Sequence, residues 1–252
     1  MFNGEVLCVI PARLESTRLS RKLLRKIQGK TLLQLVYERV REARSIDRMM
    51  VACDHEELKN CVESFGGQAV LTAKHHQSGT ERIAEVANRM TCDVVVNVQG
   101  DEPLMHPETI DLTVNILKRD SHCVMSTACI KKNDPEGYED PNVVKMTKDK
   151  EGWALYFSRS PIPFDREKRS TEYLKHLGIY AYRRSFLLEF SSLSSSTLEQ
   201  REKLEQLRVL ENGFRIRVGE TPHDSIGVDT ESDLERVQEK LTLASQEELP
   251  HA

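Results

Sequence analysis

Four clusters of polar side chains along the sequence are equipped for chemistry, and each follows an apolar run. The first is Pro11-Ala12-Arg13-Leu14-Glu15-Ser16-Thr17-Arg18-Leu19-Ser20-Arg21-Lys22. Between Arg13 and Lys30 seven Lys or Arg stand against one Glu, a local excess of +6 in a chain whose net charge is −4. Cations concentrated beyond a strand suit a polyphosphate, whose charge they neutralise where water is limited; the same composition also fits a solvated basic loop. The loop is neither G-x-x-x-x-G-K-[ST] nor G-x-G-x-x-G, so the main signatures of P-loop nucleoside triphosphatases and of dinucleotide-binding enzymes are missing.

The second cluster, Asn97-Val98-Gln99-Gly100-Asp101-Glu102-Pro103, sets an Asp beside a Gly. That arrangement suits Mg²⁺, a hard ion that takes few protein carboxylates and completes its shell with phosphate and water. The third, Gly227-Val228-Asp229-Thr230, offers a second carboxylate. Either Asp alone reads as a turn or cap residue, whereas both in one crevice opposite a cationic loop read as a metal and phosphate site. The fourth contains Arg159, Lys175, His176 and Tyr180. Arg grips carboxylates in bidentate fashion and His and Tyr bond to hydroxyls, so an acidic polyhydroxylated ligand is served. Taken singly, His176 and Tyr180 read as structural residues. The other histidines, His75-His76 included, have no metal-binding spacing, and Glu199, Glu202 and Glu205 read as the solvated face of a helix, with Glu205-Gln206 able to turn inward.

The elements that must position these residues follow from hydrophobic period. Val6 to Ile10, Met49 to Cys53, Ala69 to Thr72 and Val94 to Val98 are short apolar runs. Between them Leu32, Leu33, Val36 and Val40, then Leu58, Cys61, Val62 and Phe65, then Ile83, Val86, Ala87 and Met90 recur near 3.6 residues. This is a β-α-β-α-β-α-β pattern, and strands buried on both faces imply a mostly parallel sheet. Helix ends agree: Thr80 is a candidate N-cap, Gly66-Gly67 closes the second helix and Pro107 sits at a first helical position. After about residue 120, Val124 to Ile130, Val143 to Thr147, Trp153 to Ser158 and Gly178 to Tyr182 read as strands, with Asp149-Lys150-Glu151-Gly152 as a hairpin turn. One amphipathic helix carrying Leu198, Leu204, Leu207 and Leu210 is expected next, ended by Gly213. A last strand, Phe214 to Val218, and a helix around Leu234, Val237 and Leu241 complete the chain. The reading is a single α/β domain over 1–252, with residues 1–120 as an alternating half, 121–213 as an antiparallel insertion and 214–252 as a return strand and helix. Ligands bind such open sheets beyond the carboxyl ends of the strands, where the four clusters fall.

Composition narrows the classes. The 252 residues suffice for a substantial core, and 38% hydrophobic with 30% charged residues excludes wholesale disorder. With 36 Lys and Arg against 40 Asp and Glu, there is no general attraction to nucleic acid or to a membrane surface. No apolar stretch is long enough to span a bilayer. The six cysteines lie mostly inside apolar segments without C-x-x-C spacing, so they read as reduced thiols of a cytoplasmic protein.

Read together, PARLESTRLSRK, VACDHEE, HHQSGTERIAE, VNVQGDEP, ALYFSRSPIP, KHLGIYAYR, LEQLRVLE and GVDTESDLERV strongly resemble the bacterial 3-deoxy-manno-octulosonate (Kdo) cytidylyltransferases, from Val6 to about Leu241 and in the family's order. The resemblance implies a Rossmann-like nucleotidyltransferase fold with helices on both faces of the sheet, Mg²⁺ dependence, a homodimer formed through the insertion, and the reaction of CTP with Kdo to give CMP-Kdo and pyrophosphate for lipopolysaccharide assembly. It assigns Arg13, Arg18 and Lys22 to the CTP phosphates, Ser78, Gly79 and Arg82 to the nucleotide, and Asp101 and Asp229 to Mg²⁺. It assigns Gln99, Arg159, His176, Tyr180, Glu205 and Gln206 to the sugar acid. Lys22, Arg18, Asp101 and Asp229 are thereby the catalytic set. A related acid sugar, such as an 8-amino analogue or a sialic acid, and a non-catalytic nucleotide-binding role remain open alternatives. The family's loop usually reads R-L-P-G-K-P-L; here Arg18-Leu19-Ser20-Arg21-Lys22-Leu23-Leu24 lacks both prolines and the glycine, so a less preorganised loop is expected.

Overall fold

A computed structural model describes residues 4–16, 18–167, 170–190 and 192–247; Thr17 of the cationic loop lies outside them. Strand β1 (Val6–Ala12) is buried at every position. The cationic loop follows, closing in a single 3-10 turn (Lys22–Leu24) and a small hairpin of β2 (Lys26–Ile27) and β3 (Lys30–Thr31). The alternating elements are α1 (Leu32–Arg41), β4 (Arg48–Cys53), α2 (Glu56–Ser64), β5 (Ala69–Leu71), α3 (Gly79–Arg89), β6 (Val94–Val98) and α4 (Pro107–Arg119). Then come β7 (Met125–Asn133), α5 (Pro135–Glu139), the β8 (Lys145–Lys148) and β9 (Ala154–Ser158) hairpin, and the long β10 (Glu172–Arg183). Helices α6 (Arg184–Phe190), α7 (Thr197–Glu202) and α8 (Gln206–Glu211) lead to β11 (Ile216–Glu220) and α9 (Glu231–Glu247).

The main sheet runs β11-β7-β10-β6-β1-β4-β5. Strand β1 pairs in parallel with β4 and β6, β4 with β5, and β11 with β7. Strand β10 runs antiparallel to β6, β7 and β8, which carries the β8–β9 hairpin off the sheet's path. The period of two divides the core between the faces. Val6, Cys8, Ile10, Val94, Val96 and Val98 pack under α1, α2, α4 and α9, while Leu7, Val9 and Val95 pack under α3, α6 and α8. Burying one such side chain contributes roughly 1.5–3 kcal/mol, so a strand read as a continuous apolar run is held from both sides.

Two local expectations change and one element is new. Ser78, and not Thr80, caps α3: its side chain accepts from Glu81 N at 3.2 Å, the reach of a cap to the third helical residue. The helix expected from Leu198 to Leu210 is two short ones, because Lys203 adopts φ 55° and turns the chain between them. Helix α6 follows β10 directly without a cap residue to mark it, and its Phe186, Leu187 and Phe190 are buried. All six cysteines are free thiols; burial pushes Cys53 and Cys129 up to about 12 and Cys123 up to about 11, which leaves them protonated. Among the described residues no helix is long and apolar enough to cross a membrane.

Candidate active site

The chain leaves β1 toward β4 on one side, while β6 flanks β1 on the other. That reversal opens a crevice at the carboxyl ends of β1 and β6. Its two walls meet closely at Gly100, where an added Cβ would lie 2.9 Å from the Pro11 carbonyl oxygen. Two cavities open here. One of about 380 Å³ is bounded by Arg13, Arg18, Lys22, Gly79, Arg82 and Asp101. The other, about 710 Å³, is lined by Arg159, His176, Tyr180, Glu205 and Gln206, and Arg18, Gln99, Asp101 and Asp229 border both.

At the shared border, Lys22 Nζ donates to Asp101 Oδ2 at 2.6 Å and to Asp229 Oδ1 at 3.0 Å. Arg18 reaches the other Asp229 oxygen at 3.0 Å. The two carboxylates therefore converge on one cation, as the sequence reading required of a paired site. Burial opposes the charge on Lys22, but Asp101 and Asp229 outweigh it and hold the ammonium pKa above its ordinary value. Arg21, at the glycine's place in the motif, takes the left-handed conformation (φ 53°, ψ 35°) that glycine adopts without strain, and its guanidinium pairs with Glu57.

On the smaller cavity, Arg82 is 1% exposed. Its NH1 donates to Thr72 Oγ1 at 2.6 Å and to the Ala73 carbonyl at 3.2 Å, and its NH2 stands 3.9 Å from Asp54 Oδ2. Its Nε and NH2 are buried without a hydrogen-bond acceptor in the protein. Asp54 also accepts from Leu14 N at 2.9 Å, tying the cationic loop to the end of β4. Gly79 opens α3, where a Cβ would lie 3.3 Å from the Pro11 ring.

In the larger cavity the lining side chains are anchored in different ways. Gln99 donates to Asn97 Oδ1 at 3.2 Å. Arg159 gives Nε to the Glu202 carbonyl at 2.7 Å and NH1 to the Pro141 carbonyl at 2.9 Å, so backbone acceptors fix its guanidinium on the wall. His176 is both structural and cavity-lining: its Nε2 pairs with Thr127 Oγ1 at 2.9 Å, and burial pushes its pKa down to about 3, keeping the ring neutral. Tyr180 packs beside it with ring centroids 5.4 Å apart, and burial raises its phenol above the ordinary range. The turn at Lys203 swings Glu205 inward, where it accepts from the Thr80 hydroxyl and burial raises its pKa. Glu205 Oε1, Gln206 Nε2 and Asn97 Nδ2 are buried with no protein partner. None of the three glutamates forms a solvated face: Glu199 pairs with Arg208, and Glu202 accepts from Ser158 Oγ and Arg159 N.

Sequence reasoning named Glu102 and Lys175 within their clusters without giving them a role, and passed over Lys132 and Lys145. Glu102 faces the larger cavity beside Gly178 and Gly227 and accepts from the Ser225 hydroxyl; enclosure by protein pushes its carboxyl up to about 7. Lys175 and Lys132 both grip Asp224, which steadies the segment leading to Asp229. Lys145, fully buried, donates to the carbonyls of Asp140, Val143 and Arg159 at 2.6–2.8 Å. The signal for these was faint: a Lys inside an apolar strand run and a Glu following the Asp of QGDEP.

Cationic loop, paired carboxylates and two adjoining cavities at the switch point of an α/β sheet define a nucleotidyltransferase. The cytidylyltransferase family profile matches residues 7–217. A Geotalea daltonii 3-deoxy-manno-octulosonate cytidylyltransferase is 48% identical over 248 residues, covering 94% of this chain and 98% of that protein. Its counterpart from Solibacter usitatus is 49% identical over 234 residues, covering 92% and 93%. The solved structure of CMP:2-keto-3-deoxy-manno-octonic acid synthetase complexed with CTP matches with a TM-score of 0.91 at 38% identity, over 95% of this chain and 99% of that one. A Leptospira borgpetersenii cytidylyltransferase, at 16% identity and TM-score 0.64, shares the fold. The chain belongs to the 3-deoxy-manno-octulosonate cytidylyltransferases.

Proposed function

We propose that this enzyme transfers CMP from CTP to 3-deoxy-D-manno-octulosonate, releasing pyrophosphate, and so makes CMP-Kdo for lipopolysaccharide assembly in the cytoplasm. The observation that carries the reading is the meeting of Lys22, Asp101 and Asp229 at the border between a cationic cavity and a larger one walled by Arg159, His176 and Tyr180. CTP occupies the smaller cavity, with its phosphates toward Arg13, Arg18 and Lys22 and its nucleoside toward Ser78, Gly79 and Arg82. The sugar acid occupies the larger one, its carboxylate toward Arg159 and its hydroxyls toward Gln99, His176, Tyr180, Glu205 and Gln206. The unpartnered polar atoms of Arg82, Glu205 and Gln206, on residues that line the two cavities, support this division, since a bound ligand would offer them partners.

The anomeric hydroxyl attacks the α-phosphorus in line: a carbon-linked oxygen gains the phosphoryl group, the bond to the β-phosphate oxygen breaks, and the hydroxyl proton leaves to solvent. Charge grows on the phosphate oxygens and the leaving group, so placement and electrostatic stabilisation by Lys22 and Arg18 dominate. Asp101 and Asp229 offer hard oxygen donors aimed at one point already held by a cation, which fits Mg²⁺. Bound there, the ion would supply Lewis-acid stabilisation of the phosphates and lower the pKa of the attacking hydroxyl. The segment 121–213 supplies the sugar wall and the surface through which two copies pair.

The test is pyrophosphate release from CTP and Mg²⁺ with Kdo, its 8-amino analogue or a sialic acid. Kdo should stimulate release most. Stronger stimulation by another sugar would reassign the acceptor, and none with any would remove the enzymatic reading.

A further inference from the structure

The paired carboxylates are already satisfied without a metal. Lys22 Nζ touches both, at 2.6 and 3.0 Å, its side chain is only 10% exposed, and Arg18 closes on Asp229 from the solvent side at 3.0 Å. Two negative charges thus meet two positive ones at the point toward which a divalent ion must come. A metal entering alone has to displace Lys22 from two charge-assisted hydrogen bonds and leave a largely buried ammonium without an acceptor. The smaller cavity, which Lys22 and Arg18 themselves line, offers the alternative partners once a triphosphate fills it.

We infer that Lys22 is a built-in stand-in cation, holding Asp101 and Asp229 until nucleotide draws it away, so that metal and CTP load as a coupled pair. The inference rests on the reading that these two carboxylates hold the metal. Coupling is reciprocal: whatever factor CTP adds to metal affinity, the metal adds to CTP affinity. Without the lysine Asp101 loses its cation and Asp229 keeps only Arg18, so a divalent ion meets two carboxylates that the protein no longer bridges.

Mn²⁺ is the probe, its binding to full-length protein followed by electron paramagnetic resonance and water-proton relaxation, which distinguishes free, binary and ternary ion. Nucleotide-free wild type should bind Mn²⁺ at least about tenfold more weakly than Lys22→Gln, within the usual range of such coupling. Wild type with CTP should form a ternary complex in which that deficit is gone. Thermal melting gives an independent reading: Mg²⁺ alone should raise the melting temperature of Lys22→Gln and of Lys22→Met more than that of wild type. Equal Mn²⁺ affinity in nucleotide-free wild type and Lys22→Gln overturns the stand-in role while leaving the metal assignment intact. A gain that survives in Lys22→Gln/Asp101→Asn also overturns it, because the ion then sits elsewhere, for instance among His106, Glu108 and His223. Absence of any bound Mn²⁺, with CTP as without, removes the metal assignment itself and the stand-in role with it.

Discussion

In the proposed mechanism Asp101 stands where the chemistry is most exposed to a single change. Asp101→Asn keeps the side chain's size and removes its charge, so kcat should fall by about 10²–10³ while the melting temperature moves little, since Lys22 keeps Asp229 as its partner. Pyrophosphate-release kinetics beside a thermal melt separate the two, and a kcat within a few-fold of wild type would take Asp101 out of the catalytic set. Arg21 tests the loop. Its left-handed backbone costs an L-residue about 1 kcal/mol that glycine avoids, but Arg21→Gly also loses the exposed pair with Glu57. In a Glu57→Gln background, where that pair is gone, Arg21→Gly should raise unfolding stability by about 0.5–1 kcal/mol in urea titration; a decrease would mean that the loop does not hold this conformation. The residue types here were legible in the sequence, since seven cations, two aspartates and the break with the family's glycine can be read off in order. The bond from Lys22 to Asp101 spans 79 residues and that to Asp229 spans 207. Local sequence carries no signal over such separations.

Among the elements, the hairpin β8–β9 and the segment before it show how a buried charge does positioning work. Lys145 satisfies three carbonyls at once, and one of them belongs to Arg159. Replacing it by Met keeps the bulk, leaves those oxygens without a donor, and should cost about 1–3 kcal/mol of stability. Because the effect reaches the active site through Arg159, KM for the sugar acid should rise several-fold while KM for CTP stays near wild type; equal changes in both constants would show general loosening instead. The broken helix at Lys203 carries the complementary lesson. Leu198, Leu204, Leu207 and Leu210 follow a helical period well enough to suggest one helix, yet the left-handed turn at Lys203 is what carries Glu205 and Gln206 to the cavity wall. Periodicity reports which residues face a core and is silent about a single residue that reverses the chain's direction.

Across the whole molecule, protonation couples the wall of the larger cavity to stability. His176 has a folded pKa of about 3 against an ordinary 6.5, because burial disfavours its charged form. The unfolded chain therefore binds a proton that the folded one does not, so this contribution is complete above pH 6.5 and is lost as pH falls from there toward 3. Between pH 6 and pH 4 the loss approaches one proton, about 1.4 kcal/mol per pH unit. The stability of His176→Gln should depend on pH less steeply by that amount, as measured by urea midpoints across the range; an unchanged slope would show that the imidazole protonates in the folded state. The surface makes a second prediction at this scale. Leu155 and Phe164 are 60% and 78% exposed, and both lie in the segment proposed to pair two copies. Light scattering should find a dimer for wild type and a monomer for Leu155→Glu/Phe164→Glu; a monomeric wild type would remove the pairing proposal.

The sequence by itself determined the alternating elements, the two-faced core and the chemical vocabulary of the site, because hydrophobic period and residue type are local and each strand's pattern states how many faces it buries. It also contained the family likeness, spread over eight short motifs in order. Only the tertiary structure decided that Lys22 sits between Asp101 and Asp229, that Arg159 is anchored by carbonyls, that Glu102 lines the larger cavity and that Glu205 faces inward. Each of those follows from sheet order and from single-residue turns, which bring distant segments within hydrogen-bonding range. The energies that select those arrangements arise only once the segments meet.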